Sequence, residues 1–264
     1  MLRYLFILVF VGALLAHSRS SHFFGISEAD LMDGIKLETV MLNDNCRERL
    51  VPIAIYTSYA DSAKQNLPVI IFNHGYGKNQ GDSYLTYSYI NEFLASKGYC
   101  VISIQHELKT DEKLPYQGNL QELRKPFWDR GAENINYVIK ELDSIRPQLN
   151  FKKVVLIGHS NGGDIIANYA LQHPDSIKSI ITLDNLRMPL PKNGSFPVLS
   201  IRASDTEPDP GVIPTLADQK KYGMKIIYLP NTNHGDMNDK ATDEQKEEIN
   251  QELAYFLKSK KKTS

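Results

Sequence analysis

The sequence predicts an α/β domain, a mostly parallel central sheet with helices on both faces. Three observations carry that expectation. Short apolar runs recur along the chain and each ends in turn chemistry. Helical patterns lie between them. The 264 residues are 42% hydrophobic and 23% charged, the composition of a globular chain and not a disordered one. This length suits one large domain or two small ones and suffices to bury a core.

Taken in order, Ile35–Leu42 and Leu50–Thr57 read as strands separated by the polar turn Asn43–Arg49, an antiparallel pair. Four apolar runs follow, Val69–Phe72, Cys100–Ile104, Val154–Ile157 and Ile180–Leu183, then Val198–Ile201 and Met224–Leu229. Runs of this kind suit strands buried on both faces. Ser83–Lys97 reads as a helix between Gly81-Asp82 and Gly98. Phe127–Ile145 carries Ala132, Ile135, Val138, Ile139 and Leu142 at helical spacing and stops before Pro147. Gly162–Gln172, Pro214–Tyr222 and Thr242–Leu257 complete the helices. Strand-helix alternation with right-handed crossovers gives a parallel sheet covered on both sides, with ligands outside the carboxyl ends of its strands. One domain is expected over residues 30–258, with residues 259–264 as a flexible basic tail.

The amino terminus reads as an export signal. Arg3 precedes the apolar run Tyr4–Ala16, and Ala16 and Ser18 supply small residues for a cut after Ser18, so residues 1–18 are the expected leader. An uncleaved membrane anchor is the alternative, although the run is short of the roughly 20 residues that span a bilayer. Export permits a disulfide. Cys46 lies in a polar turn and Cys100 opens an apolar strand, so two unbridged thiols are expected. Lys plus Arg is 30 against 31 for Asp plus Glu, a balance that argues against nucleic acid as a partner.

The chemistry concentrates in Val154-Val155-Leu156-Ile157-Gly158-His159-Ser160-Asn161-Gly162-Gly163. Gly-x-Ser-x-Gly after a buried strand and before a helix is a nucleophile elbow, so tight that Cβ atoms at Gly158 and Gly162 would clash. The serine is forced into a strained backbone with its hydroxyl raised above the sheet. Asn73-His74-Gly75-Tyr76-Gly77 follows an earlier strand and can aim a backbone N–H at a developing oxyanion. The expected donors are the N–H groups of Tyr76 and Asn161, with His74 a structural partner.

A serine hydroxyl needs a base of near-neutral pKa, which means histidine. Of seven histidines, His17 and His22 flank the leader, and His74 and His159 belong to the two motifs. His106 ends a strand and His173 ends a helix. His234 stands in a loop after the final strand, in the order Ser…Asp…His. The acid is either Asp184, directly after the Ile180–Leu183 strand, or Asp205, just beyond the Val198–Ile201 strand. Spacing does not decide between them. Glu207 and Asp209, beside Asp205, read as a solvated loop.

These motifs resemble the α/β-hydrolase superfamily. Within it the chain is similar to the lineage of platelet-activating-factor acetylhydrolases and chlorophyllase-like or dienelactone-hydrolase-like esterases. The resemblance covers roughly residues 50–240 and rests on Phe72–Gly77, Leu94–Val101 running into Gln105-His106, Gly158–Gly163 and Leu183-Asp184. It implies the α/β-hydrolase fold and favours Asp184, the position the lineage commonly uses, while Asp205 occupies the other usual place. Asn185–Phe196 is too short for a cap domain. Leu114, Pro115, Tyr116, Phe127 and Trp128 are expected to line the pocket, with an apolar wall from Tyr76, Tyr84, Tyr87 and Tyr89.

The expectation is an exported serine esterase acting through Ser160, His234 and Asp184 or Asp205. It needs no cofactor and no metal. Its substrate is a small-molecule or lipid ester, or an accessible polymer ester, and contact with a lipid surface is compatible with it. The alternatives are a serine peptidase or amidase on the same fold and a non-catalytic binding protein on this scaffold.

Overall fold

The computed structural model describes residues 34–61 and 63–259. Two antiparallel strands open it, β1 (Ile35–Asp44) and β2 (Arg49–Ser58). Asp44 closes their turn by accepting the N–H groups of Cys46 and Arg47. Then come β3 (Leu67–Asn73), α1 (Ser88–Ser96), β4 (Cys100–Ile104), α2 (Leu120–Ile145), β5 (Leu149–His159) and α3 (Asn161–Gln172). The chain ends with β6 (Ile177–Leu183), β7 (Val198–Arg202), α4 (Leu216–Tyr222), β8 (Lys225–Tyr228) and α5 (Asp243–Ser259). The sheet order is β1-β2-β4-β3-β5-β6-β7-β8. β2 pairs β4 antiparallel, and every pairing from β4 to β8 is parallel.

The pleat of the inner strands sorts their side chains onto two cores. Val69, Ile71, Val154 and Leu156 face the buried stripe of α2 (Trp128, Ala132, Ile135, Val138, Leu142) and α3. Ile70, Phe72, Val155 and Ile157 face α1 and the α5 residues Ile249, Leu253, Phe256 and Leu257. This is the α/β architecture with helices on both faces that the alternation predicted.

The departures are at element ends. The segment expected as one helix from Ser83 is a 3₁₀ turn, Ser83–Leu85, followed by α1. The break falls where the Asp239 carboxylate, distant in sequence, takes the N–H groups of Ser88 (3.0 Å) and Tyr89 (3.2 Å) and starts the helix there. α2 begins at Leu120 and carries Pro126 inside it. The expected start, Phe127, lies just past this proline, whose ring removes an intrahelical N–H; packing on α3 outweighs the loss. The Thr215 hydroxyl takes the Asp218 N–H and starts α4 two residues later than expected. Ser259, expected in the tail, ends α5, where its hydroxyl bonds the Phe256 carbonyl at 2.8 Å.

Cys46 is exposed, Cys100 is buried, and both are free thiols. Among the described residues no helix is long and apolar enough to cross a membrane. The expected leader or anchor, and residues 260–264 of the tail, lie outside the described residues.

Candidate active site

The elbow between β5 and α3 holds Ser160 at φ 51° and ψ −120°, a left-handed backbone that a serine rarely adopts. Its neighbours make room for that turn. A Cβ at Gly158 would lie 2.4 Å from the Gly162 carbonyl oxygen, and one at Gly162 would lie 2.1 Å from that of Asn73. The second contact shows that the elbow is packed against the end of β3, so the 73–77 loop and the Ser160 turn are built as one unit.

His234 stands in a short 3₁₀ turn, His234–Asp236, after β8. Its Nε2 accepts the Ser160 hydroxyl at 2.9 Å, and its Nδ1–H donates to Asp184 Oδ2 at 2.6 Å. The pair of contacts suits the tautomer that carries its proton on Nδ1 and leaves Nε2 as the acceptor. Asp184, at the end of β6, is fully buried. Burial alone would raise its pKa. The His234 hydrogen bond, the Arg202 charge, the Thr206 hydroxyl and the Ala203 N–H outweigh it and hold the carboxyl below its ordinary value. Arg202 pairs with Oδ1 at 2.9 Å, and the Thr206 hydroxyl donates to Oδ2 at 2.5 Å.

The other candidate acid is engaged elsewhere. Asp205 Oδ1 accepts the backbone N–H of His234 at 2.6 Å, so it fixes the loop that carries the imidazole while Asp184 meets the ring. Spacing alone does not separate the two positions, because both follow neighbouring strands, and the favoured Asp184 is the one that meets the ring. Asp209 pairs with Arg187. Among the described residues no cluster of His, Cys, Asp or Glu is arranged to hold a metal ion.

Two pairings the sequence did not suggest support the site. His159, inside the elbow, stacks its ring 4.7 Å from that of His234. Its Nδ1 bonds the Tyr87 hydroxyl at 2.7 Å, and that hydroxyl also accepts the Gly75 N–H at 3.0 Å. Burial lowers the His159 pKa to about 3, so the ring beside the His234 imidazole carries no charge. His74 is likewise buried and lowered to about 4. Its Nδ1–H donates to the Gly75 carbonyl at 2.7 Å while Nε2 accepts the His106 N–H at 3.0 Å.

A cleft of about 570 Å³ opens over Ser160. Residues 75–77, 80, 81, 83 and 85–87 line it together with His159, His234 and residues 238–240. Tyr76 and Tyr87 line it as expected, while Tyr84 and Tyr89 pack against the core beneath α1. Asn161, whose backbone N–H is the other expected oxyanion donor, opens α3 directly behind Ser160. None of the expected wall residues 114–116, 127 and 128 borders the cleft. The early start of α2 turns Trp128 into the α2–α3 contact, where it is 1% exposed, and leaves Tyr116 62% exposed.

Fold and site together define the class, and the comparisons agree. A family described as alpha/beta hydrolase fold matches residues 68–203, just over half of the chain. The chain belongs to that family. It is similar to 1-acylglycerol-3-phosphate O-acyltransferase from Arabidopsis thaliana, 31% identical over 120 residues that cover 45% of this chain and 25% of that protein. It is also similar to Carboxylesterase 20 from the same plant, 25% identical over 124 residues, covering 46% of this chain and 35% of that one. The matched stretch thus spans a quarter to about a third of these curated relatives. Among solved structures, one from an analysis of two esterases of Rhizomucor miehei superposes with a TM-score of 0.66 at 16% identity, covering 89% of this chain and 86% of that chain. A dienelactone hydrolase-like promiscuous phosphotriesterase from metagenomic libraries superposes at 0.55 and 15%, covering 77% and 84%.

Proposed function

We propose that this protein is a serine hydrolase of carboxylic esters. The observation that carries the proposal is the single imidazole of His234, within hydrogen-bond reach of both Ser160 and Asp184. In this reading Ser160 Oγ attacks the ester carbonyl as its proton passes to His234 Nε2. Asp184 holds Nδ1–H and stabilises the imidazolium. The N–H groups of Tyr76 and Asn161 take the negative charge that develops on the carbonyl oxygen. Collapse of the tetrahedral species breaks the ester C–O bond. His234 protonates the departing alkoxide, leaving an acyl group on Ser160. Water then repeats the cycle, giving up its proton to His234 and releasing the acid. No cofactor enters this sequence, and export of the protein belongs to the same proposal.

Hydrolysis of p-nitrophenyl esters of graded acyl length tests the reading. Ser160→Ala is expected to lose several orders of magnitude in kcat, on the order of 10⁴-fold or more, and retention of the wild-type rate refutes it. A second reading draws on the acyltransferase relatives: an alcohol, rather than water, takes the acyl group from Ser160. Running the assay with a lysophospholipid acceptor and analysing the products separates the two, since transfer yields a new ester where hydrolysis yields free acid.

A further inference from the structure

Glu107 lies just beyond β4, 3% exposed. Burial pushes its carboxyl up to about 7, which marks the cost of keeping the group there. The charges of Arg130 and Arg49 offset that cost only in part, since both pair with Asp111. The nearest cationic candidate, His74 Nε2 at 3.8 Å, already accepts a backbone hydrogen bond. Oε2 has no hydrogen-bond partner among the described residues.

The contact Glu107 does make leads to the nucleophile's neighbour. Asn161 Nδ2 donates to Glu107 Oε1 at 2.9 Å, while Asn161 Oδ1 accepts Trp128 Nε1–H at 3.0 Å. An acceptor on one end and a donor on the other hold that amide in one orientation. The preceding residue, His106, serves the facing half of the site. Its N–H binds His74 Nε2, and His74 Nδ1–H binds the Gly75 carbonyl. That carbonyl belongs to the same peptide unit as the Tyr76 N–H, and a hydrogen bond on the oxygen strengthens the N–H as a donor.

We propose that Glu107 is a positioning residue for the oxyanion hole: through the Asn161 side chain it fixes the start of α3, in register with the Tyr76 peptide that its neighbour His106 fixes through His74. The inference rests on the hydrolase reading above. Donors must sit about 2.7–3.1 Å from the developing oxyanion, a window of only a few tenths of an ångström, so two adjacent residues that hold both donor peptides make the spacing between them a property of one rigid segment.

The test is a double-mutant cycle read in kcat and KM on a p-nitrophenyl ester. Glu107→Leu is expected to lower kcat by about tenfold to a hundredfold with KM within about twofold. Glu107→Gln, whose amide oxygen still accepts from Asn161, is expected to recover kcat to within about threefold of wild type. In an Asn161→Ala background, Glu107→Leu is expected to cost less than about twofold more. Trp128→Phe, which removes the other clamp, serves if Glu107→Leu does not fold, and is expected to lower kcat with KM unchanged. Fully additive losses, equal losses in Glu107→Leu and Glu107→Gln, or an unchanged kcat in Trp128→Phe each overturn the inference. A folded wild type that hydrolyses no ester and takes no fluorophosphonate overturns the hydrolase reading, and the inference with it. Activity with additive losses overturns the inference alone.

Discussion

Ser160 is held in a left-handed backbone that costs on the order of 1–3 kcal/mol, and around it each polar atom has a separate task. Asp184 meets the His234 ring, and Asp205 meets the His234 backbone. The two aspartates therefore respond differently to the same change. Asp184→Asn removes the anion beside the imidazolium, and kcat is expected to fall by roughly 10³–10⁴-fold. Asp205→Asn keeps an oxygen that can accept the His234 N–H, and a loss within about tenfold is expected. Initial rates on one ester for both variants check this. Glu107 affects stability through its protons. Its folded pKa of about 7 lies above the ordinary 4.5, so between those values the folded state binds more protons than the unfolded state, and stability falls as pH rises. Glu107→Gln removes that loss, roughly 3 kcal/mol by linkage. Its melting temperature is expected to gain on wild type as pH goes from 5 to 8. A constant gap between the two, measured by calorimetry, contradicts this.

Elements position the site by backbone contact, and that contact is intolerant of added atoms. At Gly162 a methyl group would lie 2.1 Å from one backbone oxygen and 2.6 Å from the next, that of His74. Gly162→Ala is expected to cost more than about 3 kcal/mol or to abolish folding, as denaturant unfolding will show. Asp239, which lines the cleft, caps α1. Asp239→Ala is expected to cost roughly 1 kcal/mol, a drop of about 2–4 °C in Tm. Local chemistry made most of this scale legible in the sequence. The glycine spacing announced the elbow, and the apolar runs announced β3 to β7. The α1 break was hidden because its cap comes from Asp239, 151 positions beyond Ser88, and no local signal marks such a partner. The start of α2 was hidden because tertiary packing overrides the propensity of Pro126. Asp184 and Asp205 each follow a strand, and the choice between them depends on the direction each side chain takes from its strand end. Glu107 and Trp128 carried faint signals, a carboxylate just beyond an apolar strand and the chain's single tryptophan, but their meeting at Asn161 is a tertiary fact.

Across the molecule, His74, His106 and His159 are buried with pKa values below the ordinary 6.5, each chiefly through desolvation. In the unfolded chain these rings take up protons as pH falls through 6.5, while the folded protein does not until far lower pH. The unfolded state then binds more protons, so stability is lost on acidification, at roughly 1.4 kcal/mol per pH unit for each ring. Glu107 and Asp164, both raised by burial, oppose the trend but are outnumbered. A decline in Tm on the order of 10 °C from pH 6.5 to 4 is expected, and a flat profile contradicts it. The central claim is that this fold brings an imidazole from near the end of the chain onto the hydroxyl of the elbow. Intact-protein mass spectrometry after fluorophosphonate treatment, with peptide mapping, addresses it most directly. The prediction is a single adduct on Ser160, absent from Ser160→Ala and formed at least about 100-fold more slowly in His234→Ala. A folded wild type with no adduct, or an adduct on another residue, would contradict the account.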